Sequence, residues 1–276
     1  MSRRTIAIAA ALSVLALGSP LITGCTNPLA TQYFNQGVEK YNADNYQGAI
    51  EDYTKAIKIN PQDADTYYNR GNAKYKSEDY QGAIADYTKA IEINPQYAGA
   101  YKNRGDAKDD LADYQGAILD YSKAIEINPR YINAYINRSN SKLNLGDNEG
   151  ALRDSNKAIE INPSSSFAYV NRCGAKVNLG NIKDAIEDCD MAIEIDPKNA
   201  QSYYNRGVAK VQLEDYQGAI TDWSKALEIN PQHASAYLNR GVARELVNDL
   251  EGACRDWRKA ADLGLKEPAQ WLKNQC

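Results

Sequence analysis

The residues of this chain that could do chemistry are few. There is one histidine, His233, and there are five cysteines, Cys25, Cys173, Cys189, Cys254 and Cys276, against twenty tyrosines. No Cys/His pair has a metal-ligand spacing, and no Gly-rich phosphate loop or Gly-x-Ser-x-Gly elbow occurs. A nucleophile, a base and an orienting group cannot be assembled, so neither catalysis nor a cofactor is expected. What remains is thiol chemistry and a polar ladder. Asn35, Asn69, Asn103, Asn137, Asn171, Asn205 and Asn239 recur every 34 residues. A carboxamide offers a donor and an acceptor together, so such a row suits the main chain of a bound peptide whatever its side chains. The same row could instead fix neighbouring helices to one another, and both readings stand.

Composition narrows the class. The chain has 276 residues, 43% hydrophobic and 25% charged, with a mean hydropathy of -0.62. It is neither a disordered polar tail nor a polytopic membrane protein. The net charge is -4, and without Arg3 and Arg4 there are 30 basic residues against 36 acidic ones. That balance argues against nucleic acid as a partner.

Residues 1–24 read as a secretion signal. Arg3 and Arg4 give a positive start, Ile6 to Gly18 are apolar, and the segment ends at Leu21-Ile22-Thr23-Gly24-Cys25. The apolar stretch is too short to favour a membrane span. Those last residues resemble the bacterial lipobox, with Ile22, Gly24 and Cys25 matching. The resemblance implies that Cys25 is lipidated and becomes the mature N-terminus, anchored to a membrane without crossing it. Ser2-Arg3-Arg4-Thr5-Ile6 also partly resembles a twin-arginine export motif, so the export route stays open. Thr26 is compatible with an outer-membrane destination. Residues 25–29 form the anchor and a linker so short that the folded part is held within roughly 15 Å of the bilayer.

Past the anchor, Pro61, Pro95, Pro129, Pro163, Pro197 and Pro231 stand 34 residues apart. Each interval carries two helical stripes. In the second, Ala83, Ile84, Tyr87, Ala90 and Ile91 share one face at 3.6 residues per turn. Asn94-Pro95 stops that helix, because proline lacks a donor and disfavours the α region just before it. Seven repeats begin at residues 30, 64, 98, 132, 166, 200 and 234 and fill 30–267, and residues 268–276 hold a short helix with Trp271 and Leu272 as a cap.

The period and its fixed residues resemble the tetratricopeptide (TPR) family. Repeat position 4 is Tyr throughout, from Tyr33 to Tyr237; positions 20 and 27 are always Ala; position 24 is aromatic in five repeats but Ser155 and Cys189 in two. The resemblance implies an all-α, right-handed superhelical solenoid of helix-turn-helix repeats, with the first helix of each repeat lining a concave groove. A similar asparagine ladder lines the groove of the O-linked N-acetylglucosamine transferase repeats. Arg at position 7 (Arg70 to Arg240) and Asp at position 23 (Asp52 to Asp256) replace ordinary packing residues, and a partly buried guanidinium needs a carboxylate. Pairing across repeats, Asp52 with Arg70, is the favoured geometry. Pairing within a repeat is its rival.

Other inward positions make the groove acidic at Asp106, Asp109 and Asp110 and more apolar later, with Val170, Tyr204 and Val208. Cys173 and Cys189 occupy positions 8 and 24 of one repeat, and Cys254 and Cys276 could tie the cap to the last repeat. Disulfides and buried free thiols are both open. The chain therefore reads as a non-catalytic, lipid-anchored scaffold on the periplasmic side of a bacterial membrane. It would bind an extended segment of an envelope or exported protein through the asparagine ladder, Asp106 and Tyr204, with no small-molecule substrate. A pilotin-like assembly factor acting through a folded surface, and a regulatory subunit of an enzyme, are the other readings.

Overall fold

A computed structural model describes residues 27–266 together with 268, 272 and 276. The segment 1–24, the lipid-attachment residue Cys25 and most of the expected cap, Trp271 included, lie outside the described residues. The described chain is a row of helix pairs without strands. The first helices of the pairs are α1 (Pro28–Asn42), α3 (Ala64–Lys76), α5 (Ala98–Asp110), α7 (Ile132–Asn144), α9 (Ser166–Asn178), α11 (Ala200–Val211) and α13 (Ala234–Leu246). The second helices are α2 (Tyr46–Ile59), α4 (Tyr80–Ile93), α6 (Tyr114–Ile127), α8 (Asn148–Ile161), α10 (Ile182–Ile195), α12 (Tyr216–Ile229) and α14 (Leu250–Asp262). None of the described helices is long and apolar enough to cross a membrane.

Local chemistry sets these boundaries. A side-chain oxygen of Asn45, Asp79, Asp113, Asp147, Asp215 or Asp249 accepts from the backbone N–H three residues on, capping the second helix of its repeat. The residue before each cap turns the chain with positive φ. It is a glycine at Gly146 and Gly180, but Ala112 adopts φ 59° and Glu78 φ 62°. At the far end an Asn-Pro or Asp-Pro step stops the second helix in the first six repeats, and α14 ends instead at Leu263-Gly264, the glycine with φ 98°.

Each helix packs on the next along the chain, and the first helices also touch one another, most closely across α7, α9 and α11. The core is one strip rather than a globule. Ala49, Ala83, Ala117, Ala151, Ala185, Ala219 and Ala253 are completely buried, letting paired helices approach. Across each pair, positions 8 and 24 are matched in size. Gly71 faces the Tyr87 ring, where an added Cβ would sit 2.7 Å from it. Ser139 and Ser155 hydrogen-bond at 2.8 Å. Cys173 and Cys189 form a disulfide with Cα atoms 5.5 Å apart. At the C-terminus Pro268 is buried, and Cys276 is bonded to Cys254 on α14.

The charged ladder corrects the expectation from sequence. Arg70 does not pair with Asp52; it grips Asp86 of its own repeat, Nε at 2.8 Å and Nη2 at 2.6 Å. The same bidentate pairing joins Arg104 to Asp120, Arg138 to Asp154, Arg172 to Asp188, Arg206 to Asp222 and Arg240 to Asp256. The reason is the third donor. Arg70 Nη1 reaches back to Thr54 Oγ1 of the preceding repeat at 3.0 Å, so the guanidinium spans the junction while its fork stays at home. Lys74 adds a second cation on Asp86 at 2.8 Å. In the first repeat, where Gln36 replaces arginine, Lys40 and Lys55 hold Asp52 instead. Burial opposes ionisation of that carboxyl, but those two hydrogen bonds leave it below the usual aspartate range.

Candidate functional site

The first helices project their variable positions onto the concave side, where four depressions adjoin. The first, about 240 Å³, is lined by Tyr41, Asn72, Lys76 and Lys102 among others. It shares Tyr75 and Asp106 with the second, about 230 Å³, which also takes in Asp109, Asp110 and Asn140. Asn140 belongs as well to the third and largest, about 440 Å³, around Gly174, Tyr204 and Val208. Val208 then leads into the fourth, about 210 Å³, walled by Val211, Trp223, Val242 and Leu246. The sharing makes one furrow running from α1 to α13.

Its polarity changes along its length. Near α5, Asp106 is spoken for: Lys102 pairs with it at 2.6 Å, and Tyr121 and Asn137 donate to its other oxygen at 2.9 and 2.8 Å. Asp110 accepts from the Tyr75 hydroxyl, and burial followed by that hydrogen bond raises Tyr75 above the usual phenol range. Burial pushes the Asp109 carboxyl up; the Ser141 hydroxyl donating to it pulls the other way, but Asp110 and Asp106 add to the rise. Past α7 no charged side chain lines the large depression. No group of His, Cys, Asp or Glu among the described residues could hold a metal ion.

The asparagine ladder has a structural duty. Asn103 donates to the Tyr68 hydroxyl at 3.0 Å and to Asn72 Oδ1 at 2.8 Å. Asn171 donates to the Ile136 carbonyl at 2.9 Å, Asn205 to the Val170 carbonyl at 3.2 Å and Asn239 to the Tyr204 hydroxyl at 3.1 Å. With Asn137 on Asp106, these amides pin each first helix from α5 to α13 to the one before it. Asn69 turns back to Asp65 O of its own helix, and Asn35 is exposed. Gln201 donates to Asn205 Oδ1 at 2.8 Å. Tyr204 does line the furrow, its ring stacked on His233 at 4.5 Å, and burial raises its hydroxyl and lowers the His233 imidazole.

Three further carboxamides, Asn140, Asn144 and Asn178, are exposed beside the large depression. Asn144 donates to Asn140 Oδ1 at 3.2 Å and Asn178 to Asn148 Oδ1 at 2.9 Å, which leaves the Asn140 amide and the Asn144 and Asn178 carbonyl oxygens available. The sequence carried a signal for them. Position 9 reads Val38, Asn72, Asp106, Asn140, Gly174, Val208 and Val242, and position 13 is equally irregular. Irregularity marks positions whose surroundings differ between repeats: Asn72 and Asp106 at position 9 accept from Asn103 and Asn137, whereas Asn140 at the same position lines the open depression.

Comparison with known proteins places the chain. A family model described as "Tetratricopeptide repeat" matches residues 64–97 and 200–233, a second so described matches 98–131 and 132–165, and a "TPR repeat" model matches 39–78 and 175–213. The chain belongs to the tetratricopeptide repeat family. No curated protein matches it. Among solved structures, a tetratricopeptide repeat protein from Parabacteroides merdae is 20% identical and superposes with a TM-score of 0.75 over 90% of this chain and 98% of that one, a likeness of fold. YrrB, a TPR protein with an unusual peptide-binding site, is 27% identical with a TM-score of 0.55, over 67% of this chain and 95% of that one. MamA is 26% identical with a TM-score of 0.58, over 63% and 94%. The solenoid thus carries a surface of the kind tetratricopeptide repeats use for protein–protein interaction.

Proposed function

We propose that the protein is a non-catalytic scaffold that holds an extended segment of an envelope or exported protein along its concave furrow, while a lipid on Cys25 keeps it at a membrane. The observation that carries this reading is the continuity of the furrow. Four depressions linked through Tyr75, Asn140 and Val208 suit a strand-like chain better than a compact ligand. The likeness to YrrB, itself a peptide-binding TPR protein, supports it. The anchor rests on the lipobox-like run ending at Cys25.

Crosslinking capture from native membranes tests both parts. Wild type is compared with a variant carrying Asn144→Arg and Leu246→Asp, two exposed furrow residues outside the pinning ladder. Loss of the captured proteins in the variant, at equal abundance and unchanged helicity, supports the furrow. Retention moves the binding surface to the outer face. Cys25→Ser is expected to release the protein into the soluble fraction, and an unchanged membrane association removes the anchor.

A further inference from the structure

Glycine is a poor residue for the middle of a helix, because the unfolded chain gains freedom and no side chain is there to pack. Most helical glycines here have a visible reason. At Gly37, Gly71, Gly105, Gly207 and Gly241 an added Cβ would fall 2.5–2.7 Å from an aromatic ring. At the start of six second helices, Gly82 for example, it would strike the capping side chain.

Gly174, in the middle of α9, has neither reason. An added Cβ would meet Asn205 Nδ2 at 3.4 Å and Leu143 Cδ1 at 3.8 Å, ordinary contacts, and its backbone carries no positive φ. Nothing in the fold asks for glycine there. Its neighbour Cys173 stands where five other repeats carry glycine and makes the contact across the helix pair through the disulfide, and Gly174, one place on, lies on the furrow side. The result is an open floor beneath the largest depression. Val170, Val177 and Val208 wall it, and Asn140, Asn144 and Asn178 stand around it.

We infer that Gly174 marks the seat of one uncharged, apolar side chain of the bound segment, with the flanking peptide units held by Asn140, Asn144 and Asn178. This deepens the furrow reading and rests on it. A charged side chain would lose hydration there with no counter-charge in reach. A carboxamide supplies both donor and acceptor, as a peptide unit requires. Among the described residues Asn140 Nδ2 has no partner, while its Oδ1 receives only the Asn144 amide at 3.2 Å. Asn140 also borders the depression that holds Asp109 and Asp110, so charge complementarity sets the direction: a basic residue of the segment lies on the α5 side of the seated apolar one.

The test is selection of a displayed random dodecapeptide library on the purified full chain, followed by titration of the selected peptides against variants. Selected peptides are expected to pair a basic residue with an aliphatic or aromatic one. Gly174→Val, which installs the residue that repeats six and seven carry at this place, is expected to weaken them at least tenfold. Gly174→Ala is expected to weaken them several-fold while raising the melting temperature, so a loss of binding by misfolding is recognised. Lys76→Glu, in the depression near α3, serves as a control for the furrow as a whole. If it alters affinity while both Gly174 variants bind like wild type, the furrow reading holds and the seat is overturned. If no peptide is selected, the furrow reading fails and the seat with it.

Discussion

Arg138 holds both carboxylate oxygens of Asp154, with Nε at 2.8 Å and Nη2 at 2.6 Å, and its remaining amino group donates to Ser122 of the preceding repeat at 2.9 Å. One side chain therefore closes a helix pair and joins it to its neighbour. Asp154 is buried, and Lys142 reaches it as well at 2.7 Å. Arg138→Ala is expected to cost about 3 kcal/mol, the low end for breaking a buried pair because Lys142 stays. Urea unfolding checks this, and a loss within error of zero contradicts the role.

Asn171 donates to the Ile136 carbonyl and is 7% exposed. An amide that faced an empty groove could be cut to alanine at no cost to folding; the hydrogen bond to Ile136 means that Asn171 cannot. Asn171→Ala is expected to lower stability by about 1 kcal/mol, whereas Asn35→Ala, at an exposed site, leaves thermal unfolding unchanged.

The ladder also shows what the sequence made legible. Helix pairs follow from the 34-residue period, because each Asn-Pro stop and each Asp cap acts within a few residues. Cys173 and Cys189 stand at positions 8 and 24 of one repeat, and that register alone offers their bond as one option; the size matching of Gly71 with Tyr87 and of Ser139 with Ser155 is seen only in the folded chain. Arg70 was placed wrongly across the junction because periodicity fixes which face a residue lies on, not which of two adjacent carboxylates its fork reaches. Of the two readings open for the asparagines at position 6, the hydrogen bonds between first helices favour the architectural one for Asn103, Asn137, Asn171, Asn205 and Asn239. Five of the seven asparagines reach the first helix before them, although the acceptor differs from repeat to repeat; Asn140 and Asn178, at the irregular positions 9 and 13, line the open depression with Gly174.

The Cys173–Cys189 bond closes a loop spanning 16 positions. Replacing both by serine recreates the Ser139–Ser155 pairing of the repeat before it. The double variant should keep the fold and lose about 3 kcal/mol, the chain-entropy value for a loop of this length. The measurement is urea unfolding without reductant; in reductant, which opens the Cys254–Cys276 bond in both proteins, wild type and the variant should unfold at the same urea concentration.

Ala112 adopts φ 59° where Gly146 and Gly180 serve in the next two repeats. A left-handed alanine carries strain that glycine does not, so Ala112→Gly is expected to stabilise by about 0.5–1 kcal/mol despite the greater freedom of the unfolded chain. A fall in melting temperature contradicts this.

The raised Asp109 carboxyl gives a prediction in pH. Its folded form binds a proton more tightly than the unfolded chain does, so ionisation costs stability; the cost is present above the raised value and absent below 3.8. Asp109→Asn should therefore raise the melting temperature at pH 7 and leave it unchanged near pH 3. A gain of equal size at both would mean that charge is not the cause.

The arginine that bridges each junction always finds an acceptor at the same place behind it: Thr54, Thr88, Ser122, Asn156, Asp190 or Ser224. The couplings are interchangeable, like links with a common thread. Cutting out or copying 34 residues in frame leaves this bridge an acceptor at every new junction, whichever of these repeats it brings together. The first repeat is the exception: with Gln36 in place of arginine, it can lead the row but cannot couple to a repeat in front of it.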